Sequence, residues 1–383
     1  MAAATSGPTG PASSVLVEEG KIQWVGEESS HSLPKKVSIV DAGGRYAIPG
    51  LLDMHAHSYG SDGASFLAYG VTSVRDTGGG LAGLSSQTDR SEFTTLAVPR
   101  CFFSGEVLEG ERPYWGDGFM TVDNEPEACA FVGRSKDLGA SLIKIYDSLS
   151  WPMRRAIAAE TRRVGIPAIG HGMWVEDIVK STTQGFFSIE HAAAPVANFD
   201  DVNQMLALSG TRWDPTLIVT GGASLLLRDE PERLADNKFV RTIPVAYLDF
   251  AKTADYEKMA SNDALRGSLR GQLEAVKRAR ARGVTMLVGT DAPNPGCFYG
   301  LSLHWEMARF VEAGFSPLEV IQLATEGGAA AVGADDLGAI TPGKLADIVL
   351  LDANPLEAIR NTETIWRVIK GGVVFDPEAL QQK

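Results

Sequence analysis

Six histidines punctuate the chain: His31, His55, His57, His171, His191 and His304. His55 and His57 are two residues apart at the end of an apolar run, so in a strand both side chains point to one face. His171 and His191 close two further runs, and Asp291 closes another in Leu287-Val288-Gly289-Thr290-Asp291. Lys144 lies inside Leu142-Ile143-Lys144-Ile145-Tyr146. Taken singly, each has a plain structural reading. A strand-end histidine is a satisfied core residue, and Lys144 is a salt-bridged or snorkelling one, because burying an unpaired ammonium is costly. Taken together at strand ends, imidazoles and a carboxylate suit zinc or a similar divalent ion. Four histidines and one aspartate exceed a single tetrahedral site, which leaves room for two ions if a group bridges them.

Other polar residues carry weaker signals. The segment Glu106-Val107-Leu108-Glu109-Gly110-Glu111-Arg112-Pro113-Tyr114-Trp115-Gly116 is Gly-rich and aromatic, as a lid over a site would be. Arg112 is a candidate for gripping a substrate carboxylate, with Tyr114 and Trp115 beside it, and a surface salt bridge is its competing role. Tyr146, two residues after Lys144, is a candidate to point inward with it. Arg75 ends a strand with structural and functional roles equally open. Cys297 reads as loop packing, His304 as packing or capping in a helix over Leu303–Ala313, and His31 as a residue of a polar loop.

The elements that must position these groups alternate. Eight apolar runs are spaced by helical stretches: Ala47–His57, Val71–Arg75, Arg100–Gly105, Ser141–Asp147, Ala168–His171, Ser188–His191, Arg212–Leu217 and Thr285–Thr290. Helices fit at Met153–Val164 before Gly165, Asp200–Leu208 before Gly210, and Gly267–Ala281 before Gly283. Repeated βα units of this number predict an α/β fold, a (β/α)8 TIM-like barrel with its site at the C-terminal strand ends. An open doubly wound sheet is the rival, but no Gly-rich phosphate turn follows the first strand. Residues 218–266 are too long for a simple loop and read as a helical excursion over the mouth. Short strands around Val15–Val17, Lys21–Gly26 and Val37–Asp41 resemble those of Ala346–Asp352 and Ile365–Gly372, so the two chain ends are expected to share a sheet.

Composition narrows the function classes. In 383 residues, Lys+Arg 35 against Asp+Glu 48 gives a net charge of −13, which disfavours nucleic-acid and anionic-membrane partners. Hydrophobic residues at 44% and charged residues at 22% describe a globular chain. No run approaches the ~18 apolar residues of a membrane helix. The opening MAAATSGPTGPASS lacks the basic and apolar regions of a signal peptide and reads as a disordered lead. Cys101, Cys129 and Cys297 are too few and scattered for a disulfide framework, so a reducing, cytoplasmic setting is expected.

Several motifs together resemble the amidohydrolase superfamily of metal-dependent hydrolases, and within it the imidazolonepropionase-like and prolidase-like branch. They are Ile48-Pro49-Gly50-Leu51-Leu52-Asp53-Met54-His55-Ala56-His57, Gly70-Val71-Thr72-Ser73-Val74-Arg75-Asp76, Ile143-Lys144, His171, Ile189-Glu190-His191, Gly289-Thr290-Asp291, Gly338–Val349 and Asn354-Pro355-Leu356. The resemblance implies a barrel over 47–334 and a small β-sandwich from 15–46 and 335–383, after a disordered lead over 1–14. It usually brings one more strand before Val15, where this chain has its Gly/Pro-rich lead. It carries His55 and His57 onto a more buried metal, and His171 and His191 onto a more exposed one. Lys144, carboxylated by carbon dioxide, becomes the bridge, and Asp291 a ligand that also handles protons. Two divalent ions, zinc foremost, would activate a water for attack on an amide carbonyl. Asp291 would take the water's proton and deliver it to the leaving amine. The expected substrate is a small dipeptide or N-acyl amino acid, and the expected assembly a homo-oligomer. Competing readings are a mononuclear deaminase or cyclic-imide hydrolase, a lactonase or phosphotriesterase on the same core, and a scaffold. The filled ligand positions disfavour the scaffold, and Lys144 disfavours the mononuclear enzyme.

Overall fold

Short apolar runs closed by glycine or a polar residue become strands, and the amphipathic stretches between them become helices. The computed structural model describes residues 2–3, 13–27, 34, 36–58, 63–78, 97–113, 119–172, 174–191, 199–222, 227–243, 245, 249 and 263–380. In chain order the strands are β1 (Ala2–Ala3), β2 (Ser14–Glu18), β3 (Lys21–Gly26), β4 (Tyr46–Pro49), β5 (Leu51–Ala56), β6 (Val71–Asp76), β7 (Arg100–Phe103), β8 (Leu108–Glu109) and β9 (Met120–Thr121). They continue with β10 (Ile143–Ile145), β11 (Ala168–His171), β12 (Ser188–Glu190), β13 (Arg212–Asp214), β14 (Ile348–Leu351), β15 (Ile365–Lys370) and β16 (Val373–Phe375).

Two parallel sheets carry the site. One has the order β5-β6-β7, and the other β13-β12-β11-β10-β8-β9. The amides of Ser141 and Leu142 donate to the Phe103 carbonyl at 2.7 and 3.3 Å, so the chain entering β10 touches the end of β7. On the other side, Leu287 N donates to Trp213 O at 2.8 Å, Met54 N to Val288 O at 3.0 Å and Asp291 N to His55 O at 2.7 Å. The mixed α/β arrangement fits a TIM-like barrel. The eighth expected strand, Thr285–Thr290, is corrected: among the described residues the segment makes only single bridges, Trp213 with Met286 and Ala56 with Ala292. Gly289 shows why its path is irregular. A Cβ there would lie 2.5 Å from Asp214 Oδ2 and 2.6 Å from the His55 backbone nitrogen, so the segment is pressed against both neighbours.

Helices Glu125–Asp137, Trp151–Val164, Val175–Thr183, Asp200–Ser209, Asp263–Ala281 and Leu301–Glu312 follow the strands. Gly165 and Gly210 end two of them in the left-handed conformation that glycine adopts without steric cost. Strand alternation divides the side chains. Ile143, Ile145, Ile189 and Trp213 join Ile157, Ile178, Val202 and Leu206 in the main apolar core. The opposite face buries Asp53, His55, Arg75, Lys144, Ser188, Glu190 and Asp214 instead. A barrel interior is normally filled by branched apolar residues; here it is polar and must be satisfied by its own hydrogen bonds and charges. Of the expected excursion, the described parts form turns at Ile218–Gly222 and Pro231–Ala235 and a helix at Asn237–Thr242.

The sheet expected from the chain ends is corrected: the C-terminal strands pair with other segments. β4, not β2 or β3, joins β14, β15 and β16, and Ala2–Ala3 adds a parallel edge to β4. β2 and β3 form a separate two-stranded sheet. Ile22, Ala47, Ile340, Ile348, Leu350 and Ile369 make a second small core there. Gly50 separates β4 from β5, where a Cβ would lie 2.2 Å from Thr72 Oγ1, and the chain crosses there from one sheet to the next. The run Val37–Asp41 is not a strand. Ile39 is 75% exposed, and Asp41 folds back to accept the Gly43 amide at 2.8 Å, so neither offers a sheet edge. Residues 2, 3 and 14 of the expected lead lie in strands, and 4–12 fall outside the described residues. Among the described residues no helix is long and apolar enough to cross a membrane.

Candidate metal centre

β5 sets the base of the site. Asp53 accepts the His55 amide at 3.1 Å, the Thr290 amide at 3.1 Å and the Thr290 hydroxyl at 2.7 Å, which fastens β5 to the segment carrying Asp291. Asp291 then faces three of the histidines. Its Oδ1 lies 2.9 Å from His57 Nε2 and 3.4 Å from His55 Nε2, and its Oδ2 lies 3.8 Å from His191 Nδ1. His171 comes in through ring contacts: its centroid is 4.5 Å from that of His191, which in turn is 4.7 Å from His55. Lys144 is fully buried, its Nζ 5.8 Å from the Tyr146 ring. The structure thus gathers His55, His57, Lys144, His171, His191 and Asp291, the six expected ligands, at one end of the strands.

Their donor atoms test whether metal fits. His55 Nε2, His171 Nδ1 and Lys144 Nζ are buried and make no hydrogen bond among the described residues. Buried polar atoms are almost always paired, so three orphans in one cluster mark a place for an additional partner. His55, His57 and Asp291 also bring one ligand atom each within 4.8 Å of one another. Imidazole nitrogens and a carboxylate are the donors a divalent ion takes, and the residues present fit one.

The electrostatics agree. Burial raises the Asp291 carboxyl, but the imidazoles of His191, His55 and His57 gathered around it outweigh that and hold Asp291 well below its usual range. Burial pushes His171 down to about 3, helped by the Lys144 charge, and drives His191 well below its ordinary value. Both rings are therefore neutral near pH 7, as a metal ligand requires. Burial also lowers the Lys144 amine, against the opposing pull of Glu190 and Asp291.

Sequence reasoning passed over four supporting residues. Glu190, Asp214 and His55 form a second candidate cluster, all buried. The Arg75 guanidinium already fills it: Nη2 lies 2.7 Å from Glu190 Oε2 and 3.4 Å from Asp214 Oδ2. This cluster holds a cation of its own and supports His55 from behind. Arg75, left open between roles, belongs to it. The available signal was a charged residue inside each apolar run: Arg75 after Val74, Glu190 after Ile189, Asp214 after Trp213. Thr216 and Glu306 serve His191. The Thr216 hydroxyl lies 2.8 Å from His191 Nδ1. Glu306 takes the amides of Leu217 and Ile218 at 2.8 Å each, fixing the turn that carries Thr216.

The expected substrate contacts divide. Tyr146 stacks on His171 with 4.3 Å between centroids and is part of the site. Arg112 is exposed on its loop, and Tyr114 and Trp115 lie outside the described residues. His304, buried between the Thr362 hydroxyl and the Tyr69 carbonyl at 2.9 Å each, is a packing residue, as is Cys297.

With the geometry in hand, comparison with known proteins is direct. Residues 147–374 match the amidohydrolase family profile. The imidazolonepropionase of Salinispora tropica is 28% identical over 376 residues, spanning 92% of this chain and 89% of its own. That of Streptomyces griseus is 25% identical over 366 residues, spanning 88% and 85%. Among solved structures, a putative prolidase from Bifidobacterium longum superposes with a TM-score of 0.74 at 24% identity, covering 93% of this chain and 87% of that one, which shows a shared fold.

Proposed function

The chain belongs to the amidohydrolase family, and we propose that it is a binuclear zinc hydrolase cleaving the amide bond of a dipeptide or N-acyl amino acid. It is a metal-binding hydrolase acting on carbon–nitrogen bonds; the ion count, the metal and the substrate are the proposal. Its proposed frame is a (β/α)8 barrel in which the irregular 285–292 segment, not a regular strand, fills the gap between β13 and β5, with a small β-sandwich from the chain ends. The observation that carries the reading is that Lys144 Nζ, next to the Tyr146 ring that stacks on His171, is buried without a hydrogen bond among the described residues, as are His55 Nε2 and His171 Nδ1.

His55 and His57 would hold the more buried ion, His171 and His191 the more exposed one, and Asp291 would contribute a carboxylate. Bound there, divalent ions supply Lewis-acid polarisation of the amide carbonyl and a lowered pKa for water. Lys144 would hold both ions as a carbamate, formed when its neutral amine attacks carbon dioxide, making the N–C bond and releasing one proton. Burial lowers the Lys144 amine and so favours the neutral form that reacts. Asp291 does the proton work. Its carboxylate, held well below its usual range, takes a proton from the attacking water at one oxygen and passes it to the leaving nitrogen. Without that proton the amine is too basic a leaving group.

A second reading is a cyclic amide cleaved at a single ion; the imidazolonepropionase relatives, named for an imidazolone ring, favour its substrate class. Metal analysis of purified protein, with a screen of dipeptides, N-acyl amino acids and cyclic imides, separates the two. About two equivalents of zinc per chain and turnover of linear amides are expected; one equivalent with turnover of cyclic imides alone would replace the first reading by the second.

A further inference from the structure

His55 meets protein on both sides of its ring, and the two sides differ. Nδ1 lies 2.7 Å from Glu190 Oε2. An ionised carboxylate only accepts hydrogen bonds, so the nitrogen facing Glu190, Nδ1, carries a proton and Nε2 is the nitrogen left to face an ion. Nε2 is the atom that faces Asp291 and has no hydrogen-bond partner. Glu190 is itself held from three directions. Its Oε2 accepts Arg75 Nη2 at 2.7 Å as well as His55, and its Oε1 accepts the Ser188 hydroxyl. Arg75 is tied down in turn, with Nε on the Met54 carbonyl and Nη1 on Ser188 Oγ at 3.0 Å. His55, Glu190 and Asp214 are fully buried and Arg75 is 2% exposed, so water does not compete for these bonds.

We propose that Glu190 and Arg75 are positioning residues for His55: Glu190 fixes its tautomer and ring orientation, and Arg75, anchored to the β5 backbone, fixes Glu190. The inference rests on the metal-hydrolase reading for its purpose, since it presents Nε2 to the ion, but its geometry is a property of the protein alone. Met54, whose carbonyl receives Arg75, directly precedes His55, so the backbone and the ring of the same ligand are held through one guanidinium. Partners of this kind behind a ligating histidine typically change metal affinity by about 10–100-fold.

Glu190→Gln keeps the shape, removes the charge, and sets an amide NH2 against either Arg75 or Ser188. Two measurements follow. Zinc affinity, read by competition with a chromophoric chelator, is expected to fall about 10–100-fold. The histidine ring 15N spectrum of the metal-free protein, with His55 assigned by its loss in His55→Asn, is expected to change from a single Nδ1–H tautomer to a mixture. Ser188→Ala, which removes one hydroxyl from the same relay and leaves both charges, should move both readouts in the same direction by a smaller amount and decides the matter if Glu190→Gln does not fold. An unchanged His55 tautomer with wild-type zinc affinity in a folded variant overturns the proposal. If the wild-type protein binds no divalent metal, the hydrolase reading fails, and the tautomer in the metal-free protein still decides this one.

Discussion

Glu306 offers a pH-dependent test of how the site is buttressed. It stands on the helix Leu301–Glu312, fully buried, with its two oxygens on the Leu217 and Ile218 amides. Burial raises its carboxyl from 4.5 to about 8, against the lowering effect of those two hydrogen bonds. The sign follows from where the proton is held. Below about pH 4.5 the carboxyl is protonated in both folded and unfolded chains. Between there and about pH 8 the unfolded chain ionises while the folded one keeps its proton, so stability falls as pH rises. Above that range the loss is complete. At 1.36 kcal/mol per pH unit the whole effect is at most about 5 kcal/mol. Glu306→Gln cannot titrate, and because its NH2 cannot accept the second backbone amide the variant should be about 1–3 kcal/mol less stable than wild type near pH 5. Towards pH 8.5 wild type should lose on the order of 3–5 kcal/mol relative to the variant. Urea unfolding of both proteins from pH 5 to 9, at equal metal loading, reads the difference and cancels every other titrating group. A stability difference constant across that range would show that the two amide bonds hold Glu306 ionised throughout and would refute the reasoning.

Three further outcomes follow from the site. Asp291→Asn keeps an oxygen ligand but cannot carry a proton, so metal content should persist while kcat falls about 10²–10⁴-fold; a rate within about threefold of wild type removes Asp291 from proton transfer. Lys144→Ala should reduce activity to near background, with acetate or propionate restoring part of it as a replacement bridge. Intact mass of the metal-loaded wild type should show added carbon dioxide, and an unmodified amine with no acid rescue would contradict the bridge. Thr216→Val removes the hydroxyl 2.8 Å from His191 Nδ1 at nearly constant volume. It should weaken zinc binding at the more exposed site by about 10-fold, measured by chelator competition, and unchanged affinity would make Thr216 irrelevant to His191.

The parallel strands were legible because each is an apolar run, and the histidine and aspartate ligands were legible because they end those runs, with Lys144 standing out as a charge inside one. What the sequence hid depended on contacts between distant segments. The Val37–Asp41 run has strand composition, yet among the described residues it pairs with no strand, and Val37 and Ile39 stay exposed. Thr285–Thr290 has strand composition too, but close contact of Gly289 with His55 and Asp214 on its two flanks breaks the regular ladder. β4 and β5 read as one run because nothing in Ile48-Pro49-Gly50-Leu51 announces the change of partner, from antiparallel pairing with β14 to parallel pairing with β6.

The supporting residues were hidden for a different reason, and Glu190 shows it. In a regular strand consecutive side chains alternate between faces, so assigning His191 to the interior sends Glu190 outward. Both are interior, because the chain leaves the strand at His191 with φ 73. Thr216 and Asp291 repeat the device, with φ 41 and φ 60. These are costly conformations for residues with a Cβ, about 1–3 kcal/mol each, and a β-branched threonine is among the less tolerant. Each is clamped by its surroundings. His191 N donates to Asp214 O at 2.7 Å, and its own carbonyl accepts Trp213 Nε1 at 2.9 Å. Asp291 N is held by His55 O at 2.7 Å, and the turn after Thr216 is held by Glu306. Net hydrogen-bond contributions of about 1 kcal/mol apiece are of the size needed to offset the strain. The inward aim of His191, Thr216 and Asp291 is therefore imposed by the neighbouring strands and the helix behind them, and no local sequence pattern encodes it.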